Sequence, residues 1–170
     1  MFQNKVFIAL GTNVGNWKNN FNHAFKELNK IGKINKFSSI YLTKPYGFND
    51  QNPYYNTAIE LFTFYQPIKL FEKIITIEKI LKKNKKIING PRKIDLDIIF
   101  FNNLVFKNNK LIIPHPRAHL RDFVLYPINE INPYANHPLK KETVNQLKKK
   151  LKKQYIIKKI FRDRGSILIY

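Results

Sequence analysis

Residues 89–101 read NGPRKIDLDIIFF. The Gly90-Pro91 pair breaks the backbone, Arg92 follows, and Asp95 and Asp97 then sit inside a run that is otherwise apolar. Ile94, Leu96, Ile98, Ile99, Phe100 and Phe101 are too apolar and β-branched for a solvated loop, so the spacing predicts a buried strand. Side chains alternate across a strand, which turns Asp95 and Asp97 to the same side. The pair is either the solvated face of an edge strand or two carboxylates held in one small space. The second arrangement is costly unless water, protons or a cation neutralises it. With a basic residue beside it, that reading favours magnesium carrying a phosphate ester, and so a Mg-nucleotide site.

Working outward, the rest of the chain supplies partners for this strand. Lys5 to Leu10 (KVFIAL), bounded by Gly11, reads as the first strand. Trp17, Phe21, Ala24, Phe25, Leu28 and Ile31 recur at helical spacing, predicting a helix capped by Asn16 and ended by Gly32. The intervening GTNVGN lacks the lysine of a P-loop and the third glycine of a dinucleotide fingerprint, so it reads as a structural turn. Ile34 to Thr43 is predicted as a second strand, KPYGFNDQNP as an exposed loop, and Tyr54 to Phe64 as a third strand. Asn56 within that strand either finds buried partners or faces water. Pro67 opens a second helix with Ile68, Phe71, Ile74, Ile75, Glu78 and Leu81 along one side. Glu78 lies at the solvent boundary or turns toward the magnesium site.

Beyond the Asp95/Asp97 strand, residues 104–106 and 110–117 read as a hairpin and 117–131 as short helical turns. A helix is expected from about Glu142 to Lys153, and a final strand within Tyr155 to Tyr170. The order strand, helix, strand, strand, helix, strand gives an α+β, ferredoxin-like fold: a four-stranded antiparallel sheet with helices packed on it, plus an added hairpin and C-terminal elements. With no internal repeat and no linker, residues 1–170 are expected to form one domain, its segment 139–170 rich in lysine.

Absence of cysteine excludes disulfides, thiolate zinc sites and a cysteine nucleophile. No stretch approaches a bilayer span and no cleavable signal pattern opens the sequence, so the expected location is cytoplasmic with no membrane partner. The formal charge of +20 comes from 31 basic residues, of which only five are arginine. Lysine is accompanied by abundant Asn and Ile, the residues AT-rich codons supply, so the charge is discounted as a sign of nucleic acid. Against that background Arg92 and Arg121 stand out, because a planar fork grips phosphate oxygens in a way lysine does not. Arg117 fits a surface ion pair as well. His115, fixed between two prolines, is either a hydrogen-bonding fixture or a catalyst. Tyr54 and Phe123 are core aromatics or, facing one another with Asn56 at the edge, a slot for a flat heterocycle.

Together, GPRKIDLDIIFF at 90–101, IPHPRAHLRDFVLYPINEINP at 113–133, ALGTNVGN at 9–16, and SSIYLTKPYG with PYYNTAIEL in the middle resemble the 6-hydroxymethyl-7,8-dihydropterin pyrophosphokinase family of folate biosynthesis, over roughly residues 5–135. The resemblance implies transfer of the pyrophosphoryl group of ATP to the pterin hydroxymethyl group, releasing AMP. Asp95 and Asp97 then look like ligands of two Mg2+ ions, with one of them as the base. The pterin would stack between Tyr54 and Phe123, read at its edge by Asn56 and the backbone around Thr43, Lys44 and Tyr46. Glu78, Arg92, Ile98, Lys110, Leu111, His115 and Arg121 would surround ATP, with Arg92, Arg121 and His115 joining the aspartates in catalysis. The implied partners are these two small molecules and no nucleic acid.

The sequence departs from the family where Arg-Trp usually precedes Gly-Pro-Arg, having Ile88 and Asn89, and where Lys82, Lys83, Asn84, Lys85 and Lys86 replace a glycine and arginines. Weaker closure over bound substrates is the expectation. The alternative from another class is a basic ferredoxin-like RNA-binding module without catalysis. A catalytically idle pterin or nucleotide binder is the third.

Overall fold

A computed structural model describes residues 3–47, 50–81 and 91–160. Strand β1 (Asn4–Thr12) is flanked by β4 (Tyr54–Thr63) and β5 (Asp95–Phe101), both antiparallel to it. Beyond β4 come β2 (Lys33–Phe37) and β3 (Ile40–Thr43), which pair with its two halves, and β10 (Ile156–Ile160) extends the sheet past β3. Reduced to its core, the order is β5, β1, β4 and then the β2/β3 edge, the ferredoxin-like arrangement. The expected hairpin is present as β6 (Phe106–Lys107) and β7 (Ile112–Ile113), and β8 (Asn136–His137) pairs with β9 (Glu142–Thr143).

Alternation along β1 feeds both faces. Val6, Ile8 and Leu10 pack against α1 (Trp17–Leu28) and α2 (Pro67–Ile80), while Phe7 packs with α3 (Asp122–Ile131) and α4 (Val144–Lys149) on the other side. The sheet is therefore sandwiched between two helical layers. No helix among the described residues is long and apolar enough to cross a membrane.

Four expectations are corrected. The first helix ends at Leu28, with Asn29 at its C-cap, and not at Gly32. Gly32 serves a different need: a Cβ there would stand 2.5 Å from the Phe62 carbonyl oxygen. The strand expected over 34–43 is two strands interrupted at Ser38 and Ser39. Ser38 Oγ accepts from the Ala58 N–H at 3.1 Å, and Ser39 donates through both N–H and Oγ to Glu130 Oε1 of α3, at 3.1 and 2.7 Å. Residues 117–131 hold one 3-10 turn, Ala118–Leu120, and then a full ten-residue helix, despite Pro127 inside it. Burial of Val124, Leu125, Pro127, Ile128 and Ile131 offsets the lost backbone bond. Finally, α4 has six residues, not twelve. Its start is a capping box of Thr143 and Gln146, but Lys148/Lys152 and Lys149/Lys153 would repel one another at i, i+4 in a longer helix.

The expected final strand is represented by β10, while residues 161–170 lie outside the described residues, as do Phe48 and Asn49 of the exposed loop. Lys82 to Lys86, Ile88 and Asn89, on which the expectation of weaker closure falls, also lie outside them.

Candidate active site

A cleft opens where the ends of β1, β3, β4 and β5 meet the start of α3. Register explains why a hollow forms there. Ala9 lies opposite Ala58 on one side and Asp97 on the other, and Gly11 lies opposite Asn56 and Asp95. Small residues on β1 leave room between polar side chains on its neighbours, all on the α3 face of the sheet. At Gly11 the fit is close, since a Cβ would stand 3.0 Å from Asn56 Oδ1 and 3.8 Å from Tyr54 Cδ1.

One half of the cleft is flat and weakly polar. Thr43, Lys44, Tyr46, Tyr54, Asn56 and Phe123 all line it. Asn56 is buried and its Nδ2 donates to Thr43 Oγ1 at 2.8 Å, so the buried reading of that amide holds. The other half is charged. Asp95, Asp97, Arg92 and Arg121 line it, and Arg92 Nη1 donates to Asp95 Oδ2 at 2.8 Å. Burial works against the charge on Arg92, but Asp95 and then Tyr54 outweigh it and raise the guanidinium pKa. Arg121 is buried with its guanidinium 4.8 Å from the Tyr46 ring centroid and 5.6 Å from that of Phe123, and its Nε has no hydrogen-bond partner among the described residues. A buried donor left open at a cleft wall suits an incoming anion.

Other predicted site residues surround this cleft without lining it. Glu78 is buried, and its Oε1 accepts from the Leu96 N–H at 2.9 Å, so it does not sit at the solvent boundary; it braces the strand between the two aspartates. Ile98 and Leu111 have their side chains in the core on the α1/α2 face, and Lys110 is exposed in the β6–β7 turn. His115 donates its backbone N–H to the Ile99 carbonyl at 3.0 Å, and its Nδ1 accepts from the Arg117 N–H at 3.2 Å. Burial first, then the charges of Arg121 and Arg117, lower its pKa to about 4, against an opposing pull from Asp95. It is neutral at pH 7.

Two side chains that position the cleft escaped sequence reasoning. Asn13, in the turn read as structural, is buried: its Oδ1 accepts from the Arg92 N–H at 2.9 Å, and its Nδ2 donates to Gln51 Oε1 at 3.0 Å and the Asn52 carbonyl at 3.1 Å. Gln51 Oε1 also accepts from the Tyr54 hydroxyl at 3.1 Å, so one amide joins the charged half to the flat half. Asp122, also buried, accepts from the N–H groups of Phe123 (2.7 Å), Tyr155 (2.6 Å) and Ile156 (2.9 Å). An acidic residue directly before the apolar run of residues 123–128 was the available signal for it.

Residues 7–133 match the model of the family described as 7,8-dihydro-6-hydroxymethylpterin-pyrophosphokinase. The chain belongs to this family. It is thereby a member of a class of ATP-dependent pyrophosphokinases of folate biosynthesis. The 2-amino-4-hydroxy-6-hydroxymethyldihydropteridine pyrophosphokinase of Aquifex aeolicus is 33% identical over 143 residues, 84% of this chain and 89% of that protein. The folic acid synthesis protein FOL1 of Dictyostelium discoideum is 38% identical over 145 residues, 85% of this chain but 22% of that longer protein. A solved HPPK-DHPS triple mutant from Plasmodium falciparum, with pteroate, shares the fold at a TM-score of 0.73 and 20% identity, over 87% of this chain and 43% of that one.

Proposed function

We propose that the cleft seats 6-hydroxymethyl-7,8-dihydropterin in its flat half and the phosphates of ATP in its charged half, and transfers the pyrophosphoryl group from one to the other. The observation that carries this reading is the shared floor of Ala9 and Gly11, which sets Asn56 and Thr43 on one side and Asp95 and Asp97 on the other within one hollow. In the reaction the pterin hydroxymethyl oxygen forms a bond to the β-phosphorus of ATP, the bond from that phosphorus to the α-phosphate oxygen breaks, and AMP leaves. The hydroxyl proton goes to a carboxylate of the aspartate pair. Tyr54 and Phe123 hold the heterocycle flat, Asn56 and the backbone at Thr43, Lys44 and Tyr46 read its edge, and Arg92 and Arg121 orient the phosphates in line.

Asp95 and Asp97 offer hard oxygen donors on one face of one strand, a set that suits Mg2+ completed by phosphate oxygens and water. Two Mg2+ ions bound there would neutralise phosphate charge as it builds on the departing AMP. Among the described residues no group of three or more His, Cys, Asp or Glu side chains could hold a metal, which fits a site assembled together with the nucleotide. Glu78, Ile98, Lys110, Leu111 and His115 complete the ATP side from behind and beside β5. Residues 1–170 act as one such domain, with these two small molecules as partners in the cytoplasm.

An RNA-binding role finds no support in the architecture. Both faces of the sheet are covered by helices, so the aromatics sit in a cleft beside carboxylates, not on an open surface where bases stack. AMP release from ATP, the pterin and Mg2+ tests the proposal, comparing the intact chain with Asp97→Ala. Pterin-dependent AMP that disappears in the variant is the expected result. Absence of both turnover and ligand binding, with salt-sensitive binding of single-stranded RNA in its place, would overturn it.

A further inference from the structure

We propose that Tyr155, at the entry to β10, is a positioning residue for the pterin half of the cleft, acting through Tyr46 and Phe123. The inference rests on the reading that this half receives a dihydropterin. Tyr155 does not line the cleft. Its ring meets Tyr46 at 5.4 Å between centroids and 61°, and Phe123 at 5.9 Å and 89°. Tyr46 and Phe123 meet one another at 5.9 Å and 61°, so three rings close a triangle of which two face the ligand space. The same two rings carry the Arg121 guanidinium.

The backbone of Tyr155 is held with unusual thoroughness for a residue outside regular structure. Its N–H donates to the buried Asp122 carboxylate and its carbonyl accepts from the Lys44 N–H at 2.8 Å. Asp122 directly precedes Phe123, and Lys44 lies two residues before Tyr46. Tyr155 is thus tied at one end to each segment that delivers a lining aromatic. A ring in a loop or at a helix start rotates about two side-chain bonds, and binding a flat ligand against it costs the entropy of stopping that rotation. Edge-on contact with a third, anchored ring removes the cost before the ligand arrives. The C-terminal segment therefore reaches the site through its first aromatic, beyond the residues 7–133 that the family model matches.

The test is calorimetric titration of the dihydropterin into the intact chain, Tyr155→Phe and Tyr155→Leu, in Mg2+ and α,β-methylene-ATP, whose P–C–P bridge cannot release AMP. Affinity for the analogue and thermal midpoints are measured alongside. Loss of two edge-to-face contacts predicts pterin binding about tenfold weaker in Tyr155→Leu. Tyr155→Phe, which keeps the ring, should stay within about twofold of the intact chain, and affinity for the ATP analogue should hold in all three. Should Tyr155→Leu not fold, Tyr155→Met carries the same expectation. Unchanged pterin affinity in the Leu variant overturns the inference alone, as does an equal loss for both ligands accompanied by a lowered midpoint, which marks a scaffold role. An intact chain that does not bind the pterin overturns this inference and the proposed function together.

Discussion

Replacing Asn13 by alanine should cost both stability and turnover, and the size of each effect follows from three contacts. The side chain donates twice, to Gln51 and Asn52, and accepts once, from the Arg92 N–H. Each lost donation is worth about 1 kcal/mol, and a partly buried Arg92 N–H left without its acceptor costs a further ~1–2 kcal/mol. The sum, about 3–4 kcal/mol, corresponds to a fall of roughly 6–15 °C in Tm for a domain of this size. The kinetic effect comes from the same event. Arg92 faces Asp95 because its main chain is pinned to the β1–α1 turn, and Tyr54 is bound to Gln51, which Asn13 also holds. Loosening both should lower kcat about tenfold and raise the pterin KM severalfold, a barrier change of about 1.4 kcal/mol for each tenfold. Urea denaturation and steady-state AMP release measure the two. Destabilisation under about 1 kcal/mol, or full destabilisation with unaltered kcat and KM, would refute the idea that this amide aligns the two halves of the cleft.

Three further outcomes are expected. Gly11→Ala should raise the pterin KM about fivefold with little change in urea midpoint, since the new Cβ displaces Asn56 from its bond to Thr43 while the backbone pairing stays intact; an unchanged KM would count against Asn56 as the edge reader. Gly32→Ala should do the reverse, lowering stability by about 2–3 kcal/mol through the clash with the Phe62 carbonyl and leaving KM values alone, as chemical denaturation and initial rates would reveal. His115 is held neutral when folded, so the unfolded chain binds the extra proton: its contribution is complete above pH 6.5 and is lost as the pH falls toward about 4. The loss should amount to about 2–3 kcal/mol and should be absent from His115→Gln in a series of denaturation curves across that range.

What could be read from residues alone was governed by how local the cause was. β1, β4, β5 and α2 declare themselves through alternation, helical spacing and Pro67, and the side shared by Asp95 and Asp97 follows from strand geometry. α3 was concealed because Pro127 argues against a helix locally, whereas the apolar face that outweighs it is rewarded only by packing against β4 and α4. The break at Ser38 and Ser39 depends on Glu130, some ninety positions away, and no local pattern announces such a partner. Glu78 illustrates the same limit in the site: its place on the helix was legible, but not that its carboxylate would meet the Leu96 N–H. Asn13 looked like turn chemistry because its three partners lie 38 or more residues downstream.

The bracing of β5 has a consequence for the behaviour of the chain in solution. Among the described residues β5 pairs on one side only, with β1, which leaves its outer rim open to recruitment by another strand. Glu78 occupies the Leu96 N–H on that rim and the His115 N–H occupies the Ile99 carbonyl. A side chain and a proline-flanked segment thus block the docking positions that edge-to-edge aggregation would use. The strand that carries both aspartates can lie at the margin of the sheet without being a seed for assembly, and its Leu96 amide should exchange with solvent deuterium as slowly as those of the central strands.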